Sequence, residues 1–344
     1  MTRALITGAG GFVAHHLLEH LLVNTDDKIV LLDSFRHRGV TDRIREVLDS
    51  NIHERSRVAV FSHDLAAPIS SVLEQEIGRV DVVYNLASES HVDRSIAEPR
   101  PFIENNVHLM LTMLAYARRV EPSVFIQVST DEVYGPAPDD YRHREWDPVL
   151  PSNPYSASKA AQEAVCFAYW RTYGVPIVMT NTMNIVGERQ DVEKFVPMVI
   201  RRVLDGEVVP IHGTEDAIGS RFYLHARNQA DALLFLATRR YGALGAVPRY
   251  GDAGVDRPER YHIVGELEVD NLTMAQRVAD TIGQPLRYEL VDFHSTRPGH
   301  DLRYALDGTK LADAGWVPPV PLWASLERTV RWTLEHPAWL KETS

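Results

Sequence analysis

The chain has 344 residues, 44% hydrophobic and 24% charged, which is ordinary for a globular protein with a real core and excludes wholesale disorder. With 36 Lys plus Arg against 47 Asp plus Glu, the formal charge of -11 argues against a general binder of nucleic acid or anionic membrane, yet leaves room for a small anionic ligand held by a local cluster of donors. One cysteine, Cys166, cannot form an internal disulfide, no apolar run approaches the ~18 residues of a membrane span, and Met1 leads straight into a strand-like run without a signal peptide, so a cytoplasmic protein of about two domains is expected.

In chain order, short apolar runs at residues 4–7, 29–32, 58–61, 80–86, 124–129 and 177–181 read as buried strands. Helix-length stretches lie between most of them, notably 11–23, 97–119 and 155–173. Repeated strand, helix, strand means parallel strands joined by crossovers. The expected fold is therefore α/β, a doubly wound, Rossmann-type parallel sheet. After residue 182 the rhythm breaks into shorter elements, with a Gly/Pro/Arg-rich stretch at 241–260, a Pro-rich 317–321 and a helix over 322–335 stopped by Pro337. Residues 1–182 read as the cofactor-binding domain. Residues 183–344 read mainly as a smaller substrate lobe, some segments of which return to the core.

Thr7-Gly8-Ala9-Gly10-Gly11-Phe12-Val13-Ala14 follows the first strand and opens the first helix. Gly8 and Gly11 allow a tight turn and close backbone approach to a pyrophosphate at the helix N-terminus. Asp33, at the end of the second strand, is placed to accept the adenosine ribose hydroxyls. A carboxylate there repels the 2′-phosphate of NADP, which favours NAD, although Arg36 and Arg38 close behind could accommodate that phosphate. Asp64-Leu65 reads as an adenine contact, or Asp64 alone as a helix N-cap ahead of Pro68. Leu86 and Ala87 would run alongside the cofactor.

Tyr155 and Lys159 sit four residues apart in a predicted helix, on one face and one turn apart. A phenol is a poor base near neutral pH, and a nearby ammonium and an oxidised nicotinamide favour its phenolate. Together with the glycine loop and the strand end Ser129-Thr130, this pair resembles the extended short-chain dehydrogenase/reductases. The resemblance implies that Tyr155 is the base, that Lys159 orients it and the nicotinamide ribose, and that Thr130 bonds the reacting oxygen.

The segment Ser129-Thr130-Asp131-Glu132-Val133-Tyr134-Gly135 adds two consecutive acids beside the presumed nicotinamide. Moving hydride at one carbon needs no carboxyl pair, whereas eliminating water needs an acid for the leaving hydroxyl and a base for the adjacent carbon. With this heptapeptide, Ser88 to Ser95 and Glu193-Lys194-Phe195-Val196-Pro197, the chain is similar to the nucleotide-sugar 4,6-dehydratases, in particular those acting on dTDP-glucose. The resemblance implies a nucleotide-diphosphate hexose, dTDP-glucose or UDP-glucose, converted to its 4-keto-6-deoxy derivative. Tyr155 would take the 4-OH proton as hydride leaves C4 for NAD⁺. Glu132 would remove the C5 proton while Asp131 protonates the departing 6-OH, before hydride returns to C6. Asn184, Lys194, Arg221, Arg297 and His300 match positions near the nucleotide or its diphosphate, and guanidinium groups suit phosphate oxygens. Ser90 and His91 join them on the substrate side, His91 reading equally as a phosphate contact or a structural hydrogen bond.

Asn184-Ile185-Val186-Gly187 and Phe222 to Asn228 depart from the family pattern on the nucleotide side and leave the base open, while Ala14 replaces a usual glycine. The same scaffold also serves 4-epimerases and decarboxylases, and a non-catalytic dinucleotide-binding regulator is a further alternative. No Cys/His cluster has metal spacing, and the neighbours His15 and His16 are expected to point apart. The helices 97–119 and 155–173 read as core helices or, by the resemblance, as a four-helix contact in a homodimer. A local basic pocket of Lys194, Arg221, Arg297, His300 and Arg303 on an acidic protein is expected.

Overall fold

A computed structural model describes residues 2–36, 40–138, 140–215, 217–242, 256–292 and 303–341. The first half delivers strands β1 (Arg3–Thr7), β2 (Lys28–Asp33), β3 (Val58–Ser62), β4 (Val82–Asn85), β5 (Val124–Thr130) and β6 (Ile177–Thr182). The helices between them are α1 (Phe12–Asn24), α2 (Thr41–Ser50), α3 (Ser71–Ile77), α4 (Val92–Ala97), α5 (Pro99–Val120) and α6 (Pro154–Tyr173). In the second half come β7 (Ile185–Val186), α7 (Phe195–Leu204), β8 (Val209–His212), β9 (Ser220–Phe222), β10 (Leu224–His225) and α8 (Ala226–Gly242). They are followed by β11 (Glu259–Ile263), β12 (Glu268–Asp270), α9 (Asn271–Ile282), β13 (Tyr288–Val291), α10 (Thr309–Asp313) and α11 (Leu322–Glu335).

Seven parallel strands form the central sheet in the order β11-β6-β5-β4-β1-β2-β3. The order reverses between β1 and β4, where a doubly wound sheet opens a crevice at its carboxyl edge. Register brings the ends of the functional strands level: Thr7 lies beside Leu32 and Asn85, and Thr130 beside Thr182. Apolar side chains cover both faces. Leu17, Leu18 and Leu21 of α1 pack with Leu233 of α8 on one side, and Met110, Met113 and Leu114 of α5 with Cys166 of α6 on the other. Cys166 is buried within 3.9 Å of the Met110 sulfur and serves as a small apolar residue.

Two expectations need correction, and one boundary shifts by two residues. β3 is an edge strand, not a buried one; Val60 is 46% exposed, because among the described residues no strand pairs beyond it. The helix expected over 97–119 is α5, which Pro99 opens at its first position, with the short α4 ending just before it at Ala97. His15 and His16 do not point apart: both are buried, with ring centroids 4.0 Å from one another, because α1 is covered on both of these flanks.

The later segments build a second core from Val199, Ile200, Val278 and Val330 on α7, α9 and α11. Between these, α8 packs against α1, and β11 pairs with β6 at the sheet edge. Among the described residues, no helix is long and apolar enough to cross a membrane.

Candidate active site

A cleft of about 320 Å³ runs along the carboxyl edge of the sheet. Its walls are Gly8, Gly11, Phe12 and Val13 of the first loop, Asp33 after β2, Asp64 and Leu65 after β3, and Leu86, Ala87 and Ser90 after β4. It continues past Ser129 and Thr130 at the end of β5 to Tyr155 and Lys159 on α6 and Lys194 ahead of α7.

Gly8 has φ +66°, and a Cβ there would stand 2.9 Å from the Ala87 Cα. The glycine is therefore required first by the close approach of the loop to the end of β4, and a Cβ on Gly11 would meet the Gly8 carbonyl oxygen at 2.9 Å. Asp33 braces the same loop, accepting from the Gly10 N–H at 2.9 Å and the Phe35 N–H at 2.7 Å. Arg36 is paired with Asp64, which also accepts from the Ala66 N–H at 3.0 Å. Arg36 is thus engaged, and Arg38 lies outside the described residues. Asp64 is not a helix N-cap: that place belongs to Ser70, which accepts from the Leu73 N–H.

At the other end of the cleft, β5 runs out at Thr130 and the chain turns through a single 3-10 turn, Asp131–Tyr134. Thr130 organises it. Its hydroxyl oxygen accepts from the Glu132 N–H at 3.3 Å and donates to Asp131 Oδ1 at 2.9 Å. Asp131 is buried, and its Oδ2 has no hydrogen-bond partner. Burial pushes the Asp131 carboxyl up to about 6 against the pull of the Thr130 hydroxyl and Arg221. Burial and repulsion from Asp131 push Glu132 up to about 7, with the Asn153 amide, Arg221 and Lys194 opposing. Near neutrality the two carboxyls therefore share about one proton.

Tyr155 follows in the first turn of α6, whose N-cap is Asn153. Burial, then the charges of Glu132 and Asp131, raise its phenol above the usual range, while a hydrogen bond with Thr130 acts the other way. A base at this position depends on positive charge to offset those carboxylates. Lys159 lies one turn along, but its ammonium donates to the Val128 carbonyl at 2.9 Å and to Gln162 at 2.7 Å rather than to Tyr155. Burial lowers Lys159 to about 8, with Glu163 acting against the shift.

Arg221, on β9, is buried with its guanidinium 4.7 Å from the Tyr304 ring centre and close enough to lower both carboxyls. Lys194 reaches the Ser90 carbonyl at 3.5 Å. His91 is structural in its contacts: it caps α4 by accepting from the Arg94 N–H and meets Glu193 at 3.2 Å. Asn184 is exposed beside the lobe, its carbonyl accepting from the Leu224 N–H at 2.9 Å. Arg303 is not an open cation; it pairs with Glu268 at 2.7 Å and donates to the Pro138 and Tyr141 carbonyls. Arg297 and His300 lie outside the described residues. No group of three or more His, Cys, Asp or Glu suited to a metal ion occurs among the described residues.

Two features of the site escaped the sequence reasoning. Gln190 and Gln229 line it although no motif marks them. Asn153 touches Glu132, and the Asn-Pro start of α6 was a legible N-cap signal.

Residues 4–245 match the family described as NAD dependent epimerase/dehydratase. The chain belongs to this family. Over 362 residues it is 33% identical to the dTDP-glucose 4,6-dehydratase of Salmonella typhimurium, covering 98% of this chain and 94% of that one. It is 34% identical over 330 residues to the low-salt glycan biosynthesis protein Agl12 of Haloferax volcanii, covering 96% and 98%. Among solved structures, a dTDP-glucose 4,6-dehydratase from Streptomyces venezuelae with NAD bound superposes with a TM-score of 0.83 at 32% identity, covering 99% and 100%. A UDP-glucose 4-epimerase of Thermus thermophilus, also with NAD, gives 0.80 at 25%, covering 96% and 98%. NAD is the cofactor of this epimerase/dehydratase chain. The cleft fits it: a glycine turn with no room for a Cβ meets the N-terminus of α1, and Asp33 stands beside it where a ribose is bound in such folds.

Proposed function

We propose that this chain is a hydro-lyase that removes water from a nucleotide-diphosphate hexose, dTDP-glucose or UDP-glucose, to give the 4-keto-6-deoxy sugar. The observation that carries the reading is the buried carboxyl pair Asp131 and Glu132, tied through Thr130 to Tyr155. Identity of about one third to dTDP-glucose 4,6-dehydratases supports it.

Gly8, Gly11, Phe12, Val13, Asp33, Asp64, Leu65, Leu86 and Ala87 would hold NAD, with Tyr155 and Lys159 at its reactive end. Bound NAD supplies the hydride acceptor for C4 and the donor for C6. Tyr155, bonded to Thr130, takes the proton from the 4-hydroxyl, and Thr130 holds the 4-oxygen. A ketone at C4 acidifies C5, and Glu132 removes that proton and returns one to C5 when hydride reaches C6. Asp131 gives its proton to the departing 6-hydroxyl from Oδ2, the oxygen that no protein donor occupies. Glu132 is raised further than Asp131, so the working arrangement, with the proton on Asp131 and Glu132 ionised, relies on the Asn153 amide and Lys194, which favour the Glu132 carboxylate. Ser90, His91, Asn184, Lys194, Arg221, Arg297 and His300 make up the substrate side, and the outward Ile103 and Leu111 of α5 are the surface for a homodimer.

The test is a panel of dTDP-, UDP-, GDP- and CDP-glucose, assayed by mass spectrometry for loss of water, with Glu132→Gln alongside. The variant should still oxidise C4 but lose solvent exchange at C5 and release no dehydrated product. Parental dehydration by Glu132→Gln, or no water lost from any of the four sugars, would refute the reading. A 4-epimerase needs Tyr155 and the cofactor but no carboxyl pair, and would yield an isomer of unchanged mass.

A further inference from the structure

Asn153 stands between the carboxyl pair and the helix that carries Tyr155. It is the N-cap of α6, its Oδ1 accepting from the Ser156 N–H at 2.9 Å. The Ser156 hydroxyl in turn accepts from the Asn153 backbone N–H at 3.1 Å, closing a capping box. With its oxygen committed to the helix end, the amide presents its NH₂ on the opposite side. There Nδ2 donates to Glu132 Oε2 at 3.2 Å. Flipping the amide would set oxygen against carboxylate and NH₂ against an N–H, so the network fixes the orientation. The residue is 6% exposed, leaving little water to substitute for either bond.

Capping alone does not require asparagine. Aspartate and serine cap as well, but an ionised aspartate offers no donor, and serine, whose O–H stays free when its oxygen caps, lacks the length of the amide that spans from the helix end to Glu132. Asparagine is the cap residue that satisfies the helix and still points a neutral donor at a carboxylate.

We infer that Asn153 is a positioning residue for the reaction: it holds the Glu132 carboxylate in one orientation, two residues from Tyr155, and favours its ionised form. The inference rests on the reading of Glu132 as the base. The other charged or titratable groups that face Glu132 are Asp131 on its own turn, Tyr155 on α6, Arg221 on β9 and Lys194 ahead of α7. Arg221 and Lys194 assist ionisation, and Asp131 and Tyr155 are served or opposed by it, so Asn153 is the neutral group that adds direction to charge.

The experiment compares Asn153→Asp and Asn153→Ser with the parent in the pH profile of kcat/KM for dehydration, with thermal unfolding and KM measured on the same samples. Asn153→Ser keeps a cap and adds no charge, so a purely structural role predicts an unchanged profile for it, whereas Asn153→Asp keeps the cap and the size of the side chain but replaces the donor by a second acid. In Asn153→Asp, loss of the donor, and a second acid beside Glu132, should move the acid limb to higher pH by about one unit or more. The rate on that limb should fall roughly tenfold, with KM near the parental value and Tm within about 2 °C. Asn153→Ser should shift in the same direction by less. If Asn153→Asp does not fold, the profile of Asn153→Ser decides in the same way. An unshifted acid limb in a folded variant, with Glu132→Gln inactive in dehydration, overturns the role of Asn153. Parental dehydration by Glu132→Gln instead overturns the assignment of Glu132 itself.

Discussion

Asp131→Asn should stabilise the protein in mild alkali while abolishing dehydration. In the folded chain the Asp131 carboxyl is raised from 3.8 to about 6, burial being the main cause. The sign follows from proton counting. Below about pH 3.8 both folded and unfolded chains hold the proton, and Asp131 costs nothing. As the pH rises towards about 6, the unfolded chain releases a proton that the folded chain keeps, so stability falls. Above that the full penalty applies, about two pKa units or ~3 kcal/mol. Asparagine removes the charge and keeps an acceptor for the Thr130 hydroxyl. It also puts an NH₂ where Oδ2 has no partner, at a cost of ~1 kcal/mol. The net gain is ~2 kcal/mol near pH 8, turning to a loss of ~1 kcal/mol near pH 4. With an unfolding entropy of ~2.1 cal/mol/K per residue, a chain of this length changes by ~0.7 kcal/mol per degree, so Tm should rise about 3 °C in alkali and fall slightly in acid. Thermal unfolding of both proteins with the same bound NAD, at the two pH values, makes the comparison. An equal fall in Tm at both pH values would mean that Asp131 is not held in an electrostatically costly position, and the acid–base assignment would lose its physical ground.

The pH profile of kcat/KM should be a bell with its maximum near neutrality, because Asp131 and Glu132 share one proton between about 6 and 7 and Lys159 begins to lose its own near 8. In acid the pair lacks a base and in alkali an acid; a profile flat from about pH 5 to 9 contradicts this. Gly8→Ala forces a left-handed residue at ~1–2 kcal/mol and drives a Cβ against the Ala87 backbone, so NAD should bind at least about tenfold more weakly by calorimetry. Arg260→Met leaves the Glu163 carboxylate, bonded to Arg260 at 2.7 Å and 4% exposed, without its counter-ion. The expected loss is about 3–5 kcal/mol in denaturant unfolding, and adding Glu163→Gln should restore part of it.

Strands β1, β2, β4, β5 and β6 were legible as predominantly apolar runs, which is how a strand covered on both faces reads, with Gln127 and Asn181 buried among them. β11 was not, because Glu259–Ile263 carries Arg260 and His262, and both are buried in a polar network with Glu163, Tyr134 and the Asp307 carbonyl. Their hydrogen bonds are made to residues as many as 128 positions away, so no local pattern announces them. In the cleft, glycine spacing and the Ser-Thr-Asp-Glu run located the loop and the carboxyl pair, since backbone freedom and charge are visible residue by residue. Partner choice was less so. Arg303 read as a free cation until Glu268, far along the chain from it, occupied its guanidinium. Asn153 showed the opposite case, a local cap signal whose second bond could be seen only after folding.

The return of β11 and α8 to the central sheet sets the order in which the protein can be made. When synthesis reaches the end of β6, that strand has no neighbour on one side and presents an open edge of N–H and C=O groups. The apolar flank of α1 that meets Leu233 is bare as well. The flank stays bare until α8 has left the ribosome, and the strand edge until Ile263 has, about 80 residues after β6 or several seconds at ordinary elongation rates. The nascent sheet is therefore open along β6 for that interval. Cofactor binding during synthesis would act as a brace for the unfinished fold.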